Sequence, residues 1–218
     1  MYEKKEGKVA IKNRRLRFSC AALCAVLGFV AVSTLVRAEE PDLTVQIINA
    51  LTPKATFTRG LSVSPRQTPP EQQRIIDSLP TERSLSTEER EEVTVVTKDK
   101  PSIDLEIYFG LGSAEVGEKA MPTVMALGRA LTSSALKGSR FVVAGHTDAR
   151  GGVSYNRKLS QRRAEAVKRA LVETVGIPAQ DLVTVGYGKD SLKNTKNPFA
   201  PENRRVQIIN LEQKTAAY

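Results

Sequence analysis

The sequence predicts an α/β fold, a two-layer sandwich of βαβαβ type with one mixed sheet, preceded by a signal peptide and a largely disordered tether. Three observations predict it. From about residue 102 onward, apolar residues recur regularly, two apart in short runs and three to four apart in longer ones. Residues 39–100 hold no sustained period and are rich in Pro, Thr, Ser, Arg and Glu. Residues 1–38 open with a strongly basic flank and then carry no charged side chain from Phe18 to Val36. The chain therefore divides into a leader (1–38), a flexible tether (39–100), a folded domain (101–213) and a short tail (214–218).

In the leader, Val36-Arg37-Ala38 follows the apolar stretch and is followed by Glu39-Glu40-Pro41, the pattern of a secretory cleavage site with the cut after Ala38. The alternative is an uncleaved segment: residues 18–36 approach the ~20 apolar residues that span a bilayer. Either way, everything after residue 38 is exported, and membrane association would run through this segment. Leu23 stands where a small residue would precede a lipid-modified Cys24, so lipoprotein anchoring is not expected.

In the tether, Val45–Leu51 allows two helical turns ended by Pro53, and Thr87–Glu92 reads as a short charged helix or coil. Pro65, Pro69, Pro70 and Pro80 interrupt anything longer, and so polar a composition buries too little apolar surface to offset ordering entropy. Thr56–Val63 is the candidate partner-binding segment, through which the tether would hold an envelope protein.

The domain begins with Ile103, Leu105, Ile107 and Phe109, alternating with polar neighbours as a half-buried strand does. Gly110 and Gly112 form a loop, and Val116 to Leu131 reads as a helix through Val124, Leu127, Ala130 and Leu131. Arg140–Ala144 is a short apolar strand running into Gly145. The second helix follows Gly151-Gly152, with Ser154 or Asn156 as N-cap, a buried face of Ala164, Val167, Leu171 and Val175, and Glu165–Arg169 paired on the wet side. Gly176 and Pro178 stop it. Strands follow at Leu182–Val185, ending in Gly186-Tyr187-Gly188, and at Val206–Leu211. One sheet with helices packed on it results.

Charge and cysteine content exclude several functions. The formal net charge is +9, yet eight Lys/Arg against two acids lie in residues 1–38, leaving 25 bases and 22 acids over the other 180 residues. The basicity belongs to the leader, so nucleic acid is not an expected partner. Both cysteines, Cys20 and Cys24, lie in the leader, and His146 is the single histidine. A structural zinc site needs about four Cys or His ligands, and a Ser-His-Asp centre has thin material. No metal, cofactor or catalytic residue is expected, and an enzyme is disfavoured.

The strand exit Gly145-His146-Thr147-Asp148-Ala149-Arg150-Gly151 leads into Tyr155-Asn156, Leu159-Ser160 and Arg162-Arg163-Ala164, and Gly186-Tyr187-Gly188 and Asn203-Arg204-Arg205-Val206 follow. In this ordered set, residues 103–212 resemble the OmpA-like C-terminal domain, the peptidoglycan-associating module of outer-membrane proteins, peptidoglycan-associated lipoproteins and flagellar stator proteins. The resemblance implies an OmpA-like fold and noncovalent, non-catalytic binding of the diaminopimelate in peptidoglycan stem peptides. It places the contact with the ligand's ammonium on Asp148 and with its carboxylate on Arg163, and it implies a periplasmic, wall- or outer-membrane-associated protein. Gly110 and Gly112 depart from it, standing where Asp is common.

The residue chemistry is compatible. A carboxylate offers only acceptors to an ammonium, and an arginine fork suits a carboxylate. Helix side chains lean toward the N-terminus, which would bring Arg163 back over the glycine loop, where a helix N-terminus adds positive potential. Thr147 and Asn156 complete the candidate ligand set, with Asn156 also a loop-fixing hydrogen bonder. Each residue has an ordinary alternative. Asp148 suits an Asx turn, Arg163 a solvated helix charge or a salt bridge to Asp148, His146 a strand-end role, and Arg204-Arg205 a salt-bridged strand end. A stator-like ion-conducting role is disfavoured, because residues 18–36 hold no acidic residue to carry protons.

Overall fold

The computed structural model describes residues 42–53 and 68–211. The leader, its apolar stretch 18–36, the segment Thr56–Val63 and the tail 214–218 lie outside the described residues. Among the described residues no helix is long and apolar enough to cross a membrane.

The domain is built on β1 (Ser102–Leu105), α4 (Met121–Leu131), β2 (Phe141–His146), α5 (Val153–Ala170), β3 (Leu182–Gly188) and β4 (Val206–Asn210), preceded by helices α1 (Leu43–Leu51), α2 (Pro70–Ser78) and α3 (Thr87–Thr97). The four strands form one mixed sheet in the order β1-β4-β2-β3. β2 and β3 are parallel, as a crossover through α5 requires. β4 runs antiparallel between β1 and β2. The predicted α/β fold with one mixed sheet is what forms, but helices cover both faces, which gives three layers rather than the expected two.

Element ends differ where hydrogen-bond partners run out. β1 was expected to continue to Phe109, but Leu105 pairs with Val206, the first residue of β4, so the chain beyond has no strand to bond to. Ile107 remains buried while residues 106–120 become a loop. α4 begins at Met121 rather than Val116, with Pro122 in its first turn, where a missing N–H costs nothing. The N-cap of α5 is Gly152, not Ser154 or Asn156, because Gly151 turns the chain with φ 81° directly before it. α5 closes in a π-helical turn, Leu171–Val175, ended by left-handed Gly176. Glu165 does not pair with Arg169; it accepts from Gln161 Nε2 at 2.9 Å and from Ser84 Oγ at 3.0 Å.

The tether expectation is corrected for residues 42–53 and 68–100. α1 buries Ile47 and Leu51 in the core that α4, α5 and one sheet face share, and Asn210 Nδ2 donates to the Leu51 carbonyl at 3.0 Å. α2 and α3 cover the opposite face: Ile76, Leu79, Leu85, Val93 and Val96 pack with Val142, Ala144, Val183, Val185 and Ile209. Arg140 Nη1 donates to the Ile76 carbonyl at 2.6 Å, and Lys168 Nζ to that of Thr81 at 2.5 Å, fastening this added layer to the sheet and to α5. The reason is energetic. β2 is buried along its whole length on both faces, and apolar strand surface left in water would forfeit about 25 cal/mol per Å².

Two glycines set how closely α5 lies on the sheet. A Cβ on Gly145 would collide with the Ser160 carbonyl, and one on Gly186 would stand 2.5 Å from the Gln161 nitrogen. The helix backbone therefore rests directly on β2 and β3, which brings the strand exit and the start of α5 together at one end of the sheet.

Candidate functional site

That end holds a cleft of about 510 Å³, walled by the β1–α4 loop, the β2 exit, the start of α5 and the entry to β4. Asp148, Thr147, Asn156 and Arg163, the four residues singled out from sequence, all line it. All four are buried, none exposing more than 8%.

Asp148 sits two residues past β2. Its Oδ1 accepts from the Arg150 backbone N–H at 3.1 Å, the Asx turn its position allowed. Its Oδ2 accepts from Arg204 Nη1 at 2.9 Å. The salt bridge considered between Asp148 and Arg163 is replaced by this one, and Arg204 is the site residue whose partner the sequence left unassigned. Arg205 makes its own pair, Nε to Asp104 Oδ1 at 3.0 Å, with Lys193 on the other oxygen at 2.8 Å. The expectation of salt-bridged arginines at the β4 entry holds for both.

The hydrogen bonds of Arg163 run to the β1–α4 loop, not to the Gly151-Gly152 turn. Its Nε donates to the Ser113 carbonyl at 2.9 Å and its Nη2 to that of Gly110 at 3.3 Å, while its guanidinium lies 4.9 Å from the centre of the Phe109 ring. The β1–α4 loop is thus organised around this arginine, and Gly110, one of the two glycines departing from the family pattern, presents its carbonyl to it. Burial lowers the Arg163 pKa from its ordinary value, as expected of a desolvated cation. Among the described residues no carboxylate pairs with it. Five N–H donors less two leaves three for a ligand.

Thr147 bonds through its backbone to the Gly188 carbonyl at 2.9 Å, and its Oγ1 is buried with no partner among the described residues. Asn156 Nδ2 donates to the Arg150 carbonyl at 2.6 Å, so it fixes the loop that carries Asp148. The first backbone N–H groups of α5 have no side-chain cap. Arg150, Tyr108 and Tyr155 also line the cleft. They stand out in no sequence pattern, since an exposed Tyr or Arg beside a motif carries no signal of its own.

His146 has the strand-end role. Nδ1 lies 3.1 Å from the Ser191 carbonyl, and the ring stacks on Tyr187 with centroids 5.4 Å apart. Burial, and then the nearby Arg205 charge, push its pKa down to about 4. It is neutral at pH 7, with Nδ1–H donating to that carbonyl.

The β2 exit, the α5 start and the β4 entry all fall within residues 108–206, which match the OmpA family. Residues 108–206 are an OmpA family domain. The peptidoglycan-associated lipoprotein of Legionella pneumophila is 35% identical over 103 residues, 46% of this chain and 57% of that protein. That of Pseudomonas aeruginosa is 38% identical over 104 residues, 46% of this chain and 59% of its own length. The chain thus spans somewhat under three fifths of the length of these curated relatives. The crystal structure of the peptidoglycan-associated lipoprotein from Burkholderia pseudomallei, 26% identical, aligns over 53% of this chain and 92% of that one with a TM-score of 0.41. Helices α1 to α3 lie outside the matched OmpA family residues.

Proposed function

We propose that this protein binds cell-wall peptidoglycan noncovalently, through the diaminopimelate of its stem peptides, and thereby tethers the envelope or a partner to the wall. One observation carries the reading: Arg163 is a buried cation that lines an open cleft, hydrogen-bonds to two neutral carbonyls and, among the described residues, forms no ion pair with a carboxylate. An arginine so placed has already lost most of its hydration, and a ligand carboxylate would supply the counter-charge it lacks. Beside it, Asp148 offers the carboxylate that the ligand's ammonium requires, sharing it with Arg204. Thr147 also lines this cleft, with its Oγ1 buried and without a partner among the described residues, and α5 begins without a side-chain cap. The OmpA family domain and the names of its relatives support the wall as the target. Wall binding places the domain in the periplasm, at the wall or outer membrane, with residues 1–38 as the export signal or, if retained, an inner-membrane anchor.

The test is a calorimetric titration of the full chain with a diaminopimelate-containing tetrapeptide. Asp148→Ala and Arg163→Lys are each expected to weaken binding at least tenfold, the lysine because it keeps the charge and loses the fork. A tetrapeptide carrying lysine in place of diaminopimelate lacks that carboxylate and should bind far more weakly. Equal affinity for the two peptides would overturn the diaminopimelate assignment.

A further inference from the structure

A second groove, of about 610 Å³, runs between the entry to α3 and the outward side of α5. Arg90, Arg157, Lys158 and Arg162 line it, and Glu165 is the one carboxylate that does. Arg157 pairs with Asp190 at 2.6 Å. Glu165 is held by Gln161 and Ser84. Among the described residues no ion pair engages Arg90, Lys158 or Arg162. Lys158 and Arg162 stand four apart on one helix, an arrangement of like charges that destabilises it. The groove therefore concentrates uncompensated positive charge in a concave site, in a chain whose basic excess lies mostly in its first 38 residues. Arg90, Ser84 and Leu85 belong to the layer that residues 68–100 add, so the groove exists only because that segment docks. Tyr155 lines both this groove and the first cleft, so the two adjoin at the start of α5.

We propose that this groove is a second, carboxylate-binding site, which takes an acidic stretch of peptide from the same polymer that occupies the first cleft. The inference rests on the wall-binding reading. Charge complementarity selects the occupant, since stem peptides carry free carboxylates along their length and a cross-linked pair presents a second set beside the first. Ser84, Ser154 and Gln161 add neutral hydrogen-bonding groups suited to a peptide backbone.

The experiment titrates the full chain with a disaccharide-tetrapeptide and with its cross-linked dimer, at low and at physiological salt, and with phosphatidylglycerol vesicles. The wild type is compared with Arg90→Gln/Arg162→Gln and with Asp148→Ala. Both arginines lie outside the two cores, and thermal unfolding checks that the double variant folds. The expected result is about tenfold weaker binding of the dimer by the double variant, a flatter salt dependence as charge is removed, and little change for the monomeric fragment. Asp148→Ala should weaken both fragments. Unchanged dimer affinity and salt dependence in the double variant overturn the second site while leaving the first intact. A loss confined to the vesicles overturns it in favour of a lipid surface. A wild type that binds neither fragment overturns the wall-binding reading and this inference with it.

Discussion

The two faces of the sheet are covered by different kinds of sequence. One face packs against α4 and α5, whose 3.6-residue apolar pattern announces a buried side, together with α1. The other packs against α2 and α3, drawn from a stretch so polar that it reads as a tether. The difference teaches that a cover need not look like a core helix. α3 presents only Val93, Val96 and Thr97 inward among its charged residues, yet both valines are almost fully buried. What makes such a segment dock is the surface waiting for it. Val142, Ala144, Val183 and Val185 would otherwise face water, and fully burying each such side chain is worth about 1.5–3 kcal/mol for the larger ones.

Truncation in each layer tests whether the two covers belong to one cooperative unit. Leu127→Ala on the α4 side and Ile76→Ala on the α2 side, both fully buried, should each cost about 2–5 kcal/mol in denaturant unfolding. A loss below about 0.5 kcal/mol, the scale of an ordinary surface substitution, for Ile76→Ala alone would reduce α2 and α3 to a loosely attached flap.

The next largest effect is a pH dependence on the α3 side. His146 stacks on Tyr187, whose hydroxyl lies 3.1 Å from Thr94 Oγ1 of α3. Its pKa is pushed down to about 4 from 6.5. The unfolded chain therefore binds a proton that the folded chain refuses, and stability falls as pH drops from about 6.5 toward 4. The expected loss is about 3 kcal/mol from this group. Thermal melts across that window should show it, and His146→Gln should flatten the dependence. An equal slope in that variant would assign the acid loss to carboxylates instead.

A smaller effect is expected at the start of α3. Ser86 Oγ accepts from the Glu89 N–H at 3.2 Å, and Glu89 Oε2 accepts from the Ser86 N–H at 2.7 Å, a reciprocal cap. Ser86→Ala should cost about 1 kcal/mol, and hydrogen exchange should rise mainly in α3. Smallest in stability is Thr147→Val. Its hydroxyl is buried without a partner among the described residues, so the melting temperature should stay or rise slightly. Tetrapeptide affinity should nonetheless fall several-fold, and a variant that loses stability but keeps affinity would make Thr147 structural.

Much of this was legible. The strand and helix order, the apolar face of Ala164, Val167 and Leu171, and the gathering of Thr147, Asp148, Asn156 and Arg163 could be read from spacing and from the family resemblance. A signal for the second layer was also present. Phe141-Val142-Val143-Ala144 is apolar at odd and even positions alike, as strands buried on both faces are. The helices between the strands cover one face, so another segment had to cover the second. Pairings were not legible. Asp148 meets Arg204, 56 residues on, and Arg163 meets carbonyls 50 and 53 residues before it.

By itself the sequence determined the elements and which sides of them are apolar, because those follow from local periodicity and turn chemistry. The tertiary structure alone decided three things: that Arg163 lies buried without a carboxylate, that Asp148 is shared with Arg204, and that residues 68–100 complete both a core and a basic groove. Each depends on which side chains meet across the sheet's end after docking. Such contacts are selected by the whole packed surface, and no local stretch of chain encodes them.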